Sequence, residues 1–267
     1  MLTLYGGFSP NVRKVSIMLE ELELEHDFRQ LNVNRGDHHA AEFVRLNPMK
    51  KIPVLIDSDG PGGAPITVFE SGAILIYLAE KYGRFLPSSG PERYAVLQWL
   101  MVQMASIGPA FGQFTHFRRF APGEHEYARS RYETQAVELF ETLDGRLAQS
   151  TYIAGEDYSI ADIATYPWIA NRHNTWGGGI ESFPNVRRWF DLLNERPAIQ
   201  RMLLAYKPIE AQAARDWQTA SADDTDRFMG RGAYAKHWPG ADSTAPRADN
   251  LYDQVQQSLQ HGTPSTE

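Results

Sequence analysis

Val54-Leu-Ile-Asp-Ser-Asp-Gly-Pro-Gly-Gly-Ala-Pro-Ile-Thr-Val-Phe69 contains two short apolar runs, Val54 to Ile56 and Ile66 to Phe69, with Asp57-Ser-Asp-Gly-Pro-Gly-Gly63 between them. Gly, Pro and Asp at that density end both runs and turn the chain back, so the two runs read as a β-hairpin. Upstream, Leu2 to Tyr5 and Phe28 to Val33 are further strand candidates. Between them Val12, Val15, Met18, Leu19 and Leu22 recur at helical spacing, which predicts a helix over Pro10 to Leu22. Ser9 stands where an N-cap belongs and Pro10 falls in the first turn. Downstream of Phe69 the pattern is helical again to Lys81. The order β-α-β, a crossover, then β-β-α describes a mixed α/β unit.

After Pro87-Ser-Ser-Gly-Pro91, a linker by composition, the strand signals stop. From Glu92 to about Tyr206 the pattern is helical, with long amphipathic stretches at Tyr94 to Met104 and Tyr127 to Leu147. Tyr158-Ser159-Ile-Ala-Asp162-Ile163 has a Ser at the cap position, an acidic residue at N3 and apolar residues at N′ and N4. That is a capping box with Asp in the usual place of Glu, joined to a hydrophobic staple. Past Pro208 the chain turns polar, with scattered Trp217, Phe228, Tyr234, Trp238 and Tyr252, and Gly262 to Glu267 is expected to be disordered. The expected architecture is α/β plus all-α: an N-terminal domain over 1–87, a helical domain over 92–207 and a polar C-terminal extension over 208–267.

The chain has 267 residues, 42% of them hydrophobic, a formal net charge of -7 and no dense run of Lys or Arg. A surface for nucleic acid or anionic membrane therefore lacks electrostatic support. The longest apolar stretch, Gly72 to Ala79, is far short of the roughly 20 residues of a membrane-spanning helix. Met1 leads directly into a strand pattern with no signal-like segment, so a cytoplasmic location is expected. The chain contains no cysteine, which removes disulfides, thiolate metal sites and a protein thiol nucleophile. Any sulfur chemistry must use sulfur that arrives with the substrate. His38 and Glu42 have helical metal-ligand spacing but no third ligand, so no metal is expected.

Four segments together resemble the glutathione transferase superfamily: Tyr5 to Lys14 (YGGFSPNVRK), Asn47 to Asp57 (NPMKKIPVLID), Phe69 to Lys81 (FESGAILIYLAEK) and Tyr158 to Ile163. The Ser-Pro-Asn start, Gln98-Trp-Leu100 and Gly108-Pro109 are similar to the nu class and its nitrogen-regulator relatives. The resemblance covers about Met1 to Tyr206 and implies a thioredoxin-like N-terminal domain that binds glutathione beside a helical second domain. It implies that Ser71, at a helix start, receives the γ-glutamyl carboxylate and that Glu70 pairs with the ammonium. It makes Ile52-Pro53 the cis-proline site facing the cysteinyl backbone, with Lys51 and His38 as donors to the glycine carboxylate. Ser9 and Asn11 map onto the positions that hold the thiolate, and Tyr5 is the competing hydroxyl. Arg131 resembles a contact to glutathione from the second domain. Phe111, Phe114, Phe117, Trp168, Arg172 and His173 are candidates for the wall of a second-substrate site, whereas Arg118 and Arg119 read as a solvated face.

Lowering a thiol pKa by about two units takes roughly 2.7 kcal/mol. A helix N-terminus supplies about 0.3–1 kcal/mol and each hydrogen bond to a charged group about 1.5–3 kcal/mol, so Ser9, Asn11 and the helix end suffice. The expected function is a glutathione-dependent disulfide-bond oxidoreductase in which glutathione supplies every thiol. Conjugation of glutathione to electrophiles, and a non-catalytic glutathione-binding regulator, are the alternatives. A homodimer is implied by the resemblance, with glutathione and a small disulfide or electrophile as partners and no nucleic acid or membrane.

Overall fold

The computed structural model describes residues 1–170 and 179–237. Arg172, His173, Trp238 and Tyr252, named above, lie outside the described residues, as does Gly262 to Glu267. Residues 1–221 fall in one compact unit, and the described residues from Ala222 to His237 belong to a second.

The N-terminal part of the first unit is built on four strands, β1 (Leu2–Gly6), β2 (His26–Gln30), β3 (Val54–Asp57) and β4 (Ile66–Phe69), in the order β2-β1-β3-β4. β1 and β2 run parallel through helix α1 (Pro10–Glu21), while β1 with β3 and β3 with β4 pair antiparallel. The predicted hairpin is present in the register Val54 opposite Phe69. Helix α2 (Ala41–Leu46) lies in the crossover, and α3 (Ser71–Tyr82) follows β4 directly. This β-α-β then β-β-α arrangement is the thioredoxin-like unit, and Leu2, Leu4 and Gly6 of β1 point inward at the period of two that strands require. A Cβ on Gly6 would sit 2.5 Å from Val12 Cγ1 and 3.1 Å from Phe28, so only glycine lets α1 close against β1.

β2 differs from the expected Phe28 to Val33. It begins at His26, which pairs with Leu2, and ends at Gln30 because local bonds capture the following backbone. Asn32 Oδ1 accepts from the Arg35 N–H at 3.2 Å and Asp37 Oδ2 accepts from the Asn32 N–H at 2.8 Å, so Val33–Arg35 coils into a 3-10 turn. Asn and Asp side chains compete with ladder bonds in this way.

The remaining helices of the unit are α4 (Gly90–Val102), α5 (Gly108–Arg119), α6 (Glu126–Leu147), α7 (Ile160–Ala170), α8 (Pro184–Asn194) and α9 (Pro197–Gln218). α4 starts inside the stretch read as a linker, since Pro91 suits a first helical turn. It runs into a π-helical segment, Gln103–Ile107, before α5. α9 carries on past Pro208, where the polar extension was expected to begin. The proline removes one N–H that would have bonded to Leu204, but Leu204 is well exposed, so water can serve its carbonyl. One continuous apolar core joins the sheet, α1, α3 and the helical region, including Leu4, Ile17, Leu75, Phe111, Ile163 and Trp189.

The start of α9 is tied to the end of α1. Arg196 Nε and Nη2 donate to the two oxygens of Glu21 at 2.6 and 2.9 Å, and its guanidinium lies 3.8 Å from the centre of the Tyr158 ring. Bidentate pairing to the buried Glu21 and stacking in a half-buried place predict that Arg196→Ala lowers stability by about 2 kcal/mol, measurable as a shifted urea midpoint at unchanged slope.

In the second unit, α10 (Ala222–Met229) and a 3-10 turn at Gly232–Tyr234 are held by Arg227, whose Nη2 donates to Asp223 at 2.8 Å and to Tyr234 Oη at 2.9 Å.

Candidate functional site

Ser9, in extended conformation with φ -156°, caps α1 by accepting from the Asn11 N–H at 3.2 Å. The helix start therefore presents Asn11 just inside the cap. Asn11 Oδ1 accepts from Trp168 Nε1 of α7 at 3.1 Å, which fixes the amide and leaves its Nδ2 donor for another partner. Ser71 opens α3 and is buried, and Glu70 before it sits at φ 69°, ψ 116°, a conformation rare for a side-chain-bearing residue. Backbone strain of this kind costs on the order of 1–3 kcal/mol and gathers at functional sites. Across from them, the Ile52-Pro53 bond is cis. Asn47 organises the preceding loop: its Nδ2 donates to the Lys51 carbonyl at 2.7 Å and its Oδ1 accepts from the Met49 N–H at 2.9 Å.

Asn11, Lys51, Ile52, Pro53, Glu70 and Ser71 all line one cleft of about 270 Å³, together with Lys14, Gln103, Met104 and Trp168. That is near the lower end of the roughly 300–1,000 Å³ usual for small-molecule sites. Ser9, His38 and Arg131 are not part of this lining. Ser9 is one step outside it as the cap of α1. His38 is half-buried on the 3-10 turn Asp37–His39, and Arg131 is exposed on α6. Burial first, and then the neighbouring His39 and Lys50, push the His38 imidazole down to about 4 against the pull of Asp37. At neutral pH it offers an N–H, not a positive charge. Tyr5 lies on β1, and Phe111 and Phe114 are buried core residues of α5. Phe117 stacks on Tyr132 with ring centres 5.8 Å apart.

A larger cleft of about 530 Å³ runs past Pro87, Pro91 and Ala95. Its lining carboxylates, Glu92, Glu156 and Asp157, oppose an anionic ligand, which sets it apart from the cleft at Ser71.

Sequence reasoning missed Lys14, Asn47 and Gln103. Lys14 is 1% exposed; its Nζ donates to Gln103 Oε1 at 2.5 Å and to Ser71 Oγ at 3.3 Å. Burial holds its ammonium down at about 7, only partly offset by Glu70. Lys14 is three residues after Asn11 and so shares its helix face. Since the folded pKa is depressed, the folded chain binds fewer protons here than the unfolded chain between about pH 7 and 10.5. Stability of the unliganded protein therefore rises with pH through that window, and Lys14→Met is expected to remove up to roughly 1.4 kcal/mol per pH unit of that slope. Unfolding midpoints of both proteins at neutral and alkaline pH measure it.

The sequence matches two family profiles, Glutathione S-transferase, N-terminal domain, over residues 1–80 and Glutathione S-transferase, C-terminal domain, over residues 96–197. The chain belongs to the glutathione S-transferase family. It is 41% identical over 208 residues to the disulfide-bond oxidoreductase YfcG of Escherichia coli (strain K12), covering 76% of this chain and 95% of that protein. Among solved structures it resembles a glutathione transferase family member from Pseudomonas fluorescens pf-5 with two glutathione bound, at TM-score 0.73 and 43% identity over 76% of this chain and 92% of that one. A glutathione transferase from Pseudomonas putida with one glutathione disulfide bound per subunit matches at TM-score 0.72 and 43% identity, over 76% and 90% of the two chains.

Proposed function

We propose that this protein is a glutathione-dependent disulfide-bond oxidoreductase whose reacting thiols all belong to glutathione. One observation carries the reading: a helix-start serine, a strained glutamate, a cis-proline loop and an indole-oriented asparagine converge on one cleft in a chain without cysteine. The YfcG likeness and the bound glutathione disulfide of the P. putida relative support it.

In this reading the γ-glutamyl carboxylate lies at Ser71 and the positive end of α3, and its ammonium pairs with Glu70. The cysteinyl backbone runs along Ile52-Pro53, and Lys51, with His38 as a neutral donor, meets the glycine carboxylate. Asn11 Nδ2, with Ser9 and the start of α1, holds the thiolate, and Arg131 approaches from the helical domain. The thiolate attacks one sulfur of a small disulfide, forming a mixed disulfide and releasing the other half as a thiolate that takes up a proton. A second glutathione thiolate then attacks the glutathione sulfur of the mixed disulfide, giving glutathione disulfide and the second reduced thiol. Positioning and ionisation of the first thiol are the protein's contribution.

The chain is further read as nu-class-like, a cytoplasmic homodimer acting on small disulfides, without nucleic-acid or membrane partners. No helix among the described residues is long and apolar enough to cross a membrane. A second reading, conjugation, is favoured by the apolar groups Met104, Pro109 and Trp168 along the cleft, which suit an aromatic electrophile. Turnover on 2-hydroxyethyl disulfide compared with a chlorodinitrobenzene-type electrophile separates the two. Faster disulfide reduction is expected; dominant conjugation overturns that order, and tight binding without either turnover indicates a binding protein.

A further inference from the structure

The group in the cleft that the thiol chemistry leaves unused is Lys14. Its ammonium is buried between two parts of the first unit, bonded to Ser71 of α3 and to Gln103 of the π-helical segment, with Met104 Sδ as a third and weaker contact at 3.4 Å. Because Nζ donates to Ser71 Oγ, the serine proton is turned away from Lys14. Among the described residues it has only Met104 Sδ to meet, at 3.7 Å. Gln103 repeats the pattern: Oε1 accepts from Lys14, and Nε2 is buried with no partner among the described residues. A cation and two underused donors, on Ser71 and Gln103, stand at one end of the cleft, and that combination calls for an anionic ligand group.

The groups facing Lys14 from each packed element account for its charge. From the start of α3, Glu70 is the carboxylate that acts on it. The π-helical segment contributes the uncharged Gln103 and Met104. On α7, Asp162 is turned to Ser159, Ile153 and Trp189, and Tyr166 bonds to Asn194. On α9, Tyr206 bonds to Ser16, and Glu210 pairs with Arg13. Glu70 alone is too little to keep the ammonium at its ordinary strength, and it is also the partner proposed for the ligand's own ammonium. An arriving carboxylate restores the balance.

We propose that Lys14 is the positioning residue of the γ-glutamyl subsite: it orients the Ser71 hydroxyl toward the ligand carboxylate, and it takes up a proton as that carboxylate arrives. The inference rests on the glutathione reading above. It places a proton-linked step in binding, separate from ionisation of the thiol, so glutathione and its disulfide both bind with proton uptake at this group.

S-Methylglutathione, whose sulfur carries no proton, is the probe. Calorimetric titration in buffers of different ionisation enthalpy counts protons taken up on binding. At about pH 8 the wild-type protein is expected to take up most of one proton more than Lys14→Met, and at about pH 6, where Lys14 is already charged, the two are expected to match. Lys14→Met is expected to weaken binding roughly ten- to a hundredfold, and Lys14→Arg to bind with little change between those pH values. Equal proton counts in wild type and Lys14→Met at the higher pH overturn the proposal. If Lys14→Met does not fold, the wild-type count alone decides, since uptake that fails to fall between the higher and lower pH overturns it too. Absence of any binding by wild-type protein at millimolar probe would instead remove the glutathione reading beneath it.

Discussion

Asp162→Ala is expected to destabilise the protein by about 3–5 kcal/mol, the largest effect of any single truncation outside the cleft. The carboxylate is completely buried and accepts from the Ser159 N–H at 3.0 Å, Ser159 Oγ at 3.2 Å, the Ile153 N–H at 2.9 Å and Trp189 Nε1 at 2.9 Å. Burial drives its pKa up, while these donors pull the other way. Removing the acceptor strands two backbone N–H groups and an indole N–H in the interior, each costing about 1–3 kcal/mol if left unmet, and these costs do not simply add. Asp162→Asn keeps the volume but turns an NH2 toward donors on one side, so it is expected to cost about 2–3 kcal/mol. Ser159→Ala loses only the cap bond to the Ala161 N–H at 3.3 Å and part of the network, about 1 kcal/mol. Urea unfolding of the three variants ranks them; a loss below about 1 kcal/mol for Asp162→Ala would show that the network is not what anchors α7.

That network shows how far sequence reading reached. Ser159 and Asp162 announced a helix start through their spacing, because a capping box is a local bond pattern between residues three apart. Trp189 and Ile153 were invisible as partners, since their N–H groups arrive from α8 and from a loop through tertiary packing. The same division holds elsewhere. The hairpin between β3 and β4 follows from turn chemistry, and it is present, with Val54 opposite Phe69. The end of β2 does not, because Asn32 and Asp37 capture the backbone in a way that apolar patterning does not encode.

At the cleft, Asn11, Lys51, Ile52, Pro53, Glu70 and Ser71 were named through the family resemblance, which short local motifs around a cap, a helix start and a residue before proline carry. Lys14 was missed because α1 is covered on almost every side, Val12 to Leu19 all being buried, so no single apolar stripe distinguishes a polar residue facing solvent from one facing the cleft. Gln103 was missed for a related reason. It leaves the helical period at the π-helical segment, where one extra residue per turn rotates the side chain away from where a 3.6-residue repeat would put it.

Asn11→Asp is expected to have the largest effect on catalysis, lowering kcat/KM for disulfide reduction by roughly 10³-fold or more while leaving the fold intact. The carboxylate still accepts from Trp168 Nε1, so geometry is preserved. What changes is the second atom, which no longer donates and instead carries negative charge toward the position proposed for the thiolate. Losing a hydrogen bond to a charged group costs about 1.5–3 kcal/mol, and two like charges about 4 Å apart near a protein surface repel by about 4 kcal/mol. Protonation of either group relieves part of that, so the bound thiol pKa is expected to rise by about two units or more. Asn11→Ala removes the donor without adding charge and is expected to cost about 10–10²-fold. Ser9→Ala is expected to cost less than Asn11→Ala, because Asn11 lines the cleft and Ser9 stands outside it as the cap. Titrating the ultraviolet absorbance of the bound thiolate in each variant reads the pKa directly, and the order Asn11→Asp, Asn11→Ala, Ser9→Ala should appear in both pKa and rate. A reversal of the last two assigns the thiolate to Ser9. In that case the indole of Trp168, by fixing an amide that does not touch sulfur, would contribute only to packing, and Trp168→Phe would leave the thiol pKa where it was.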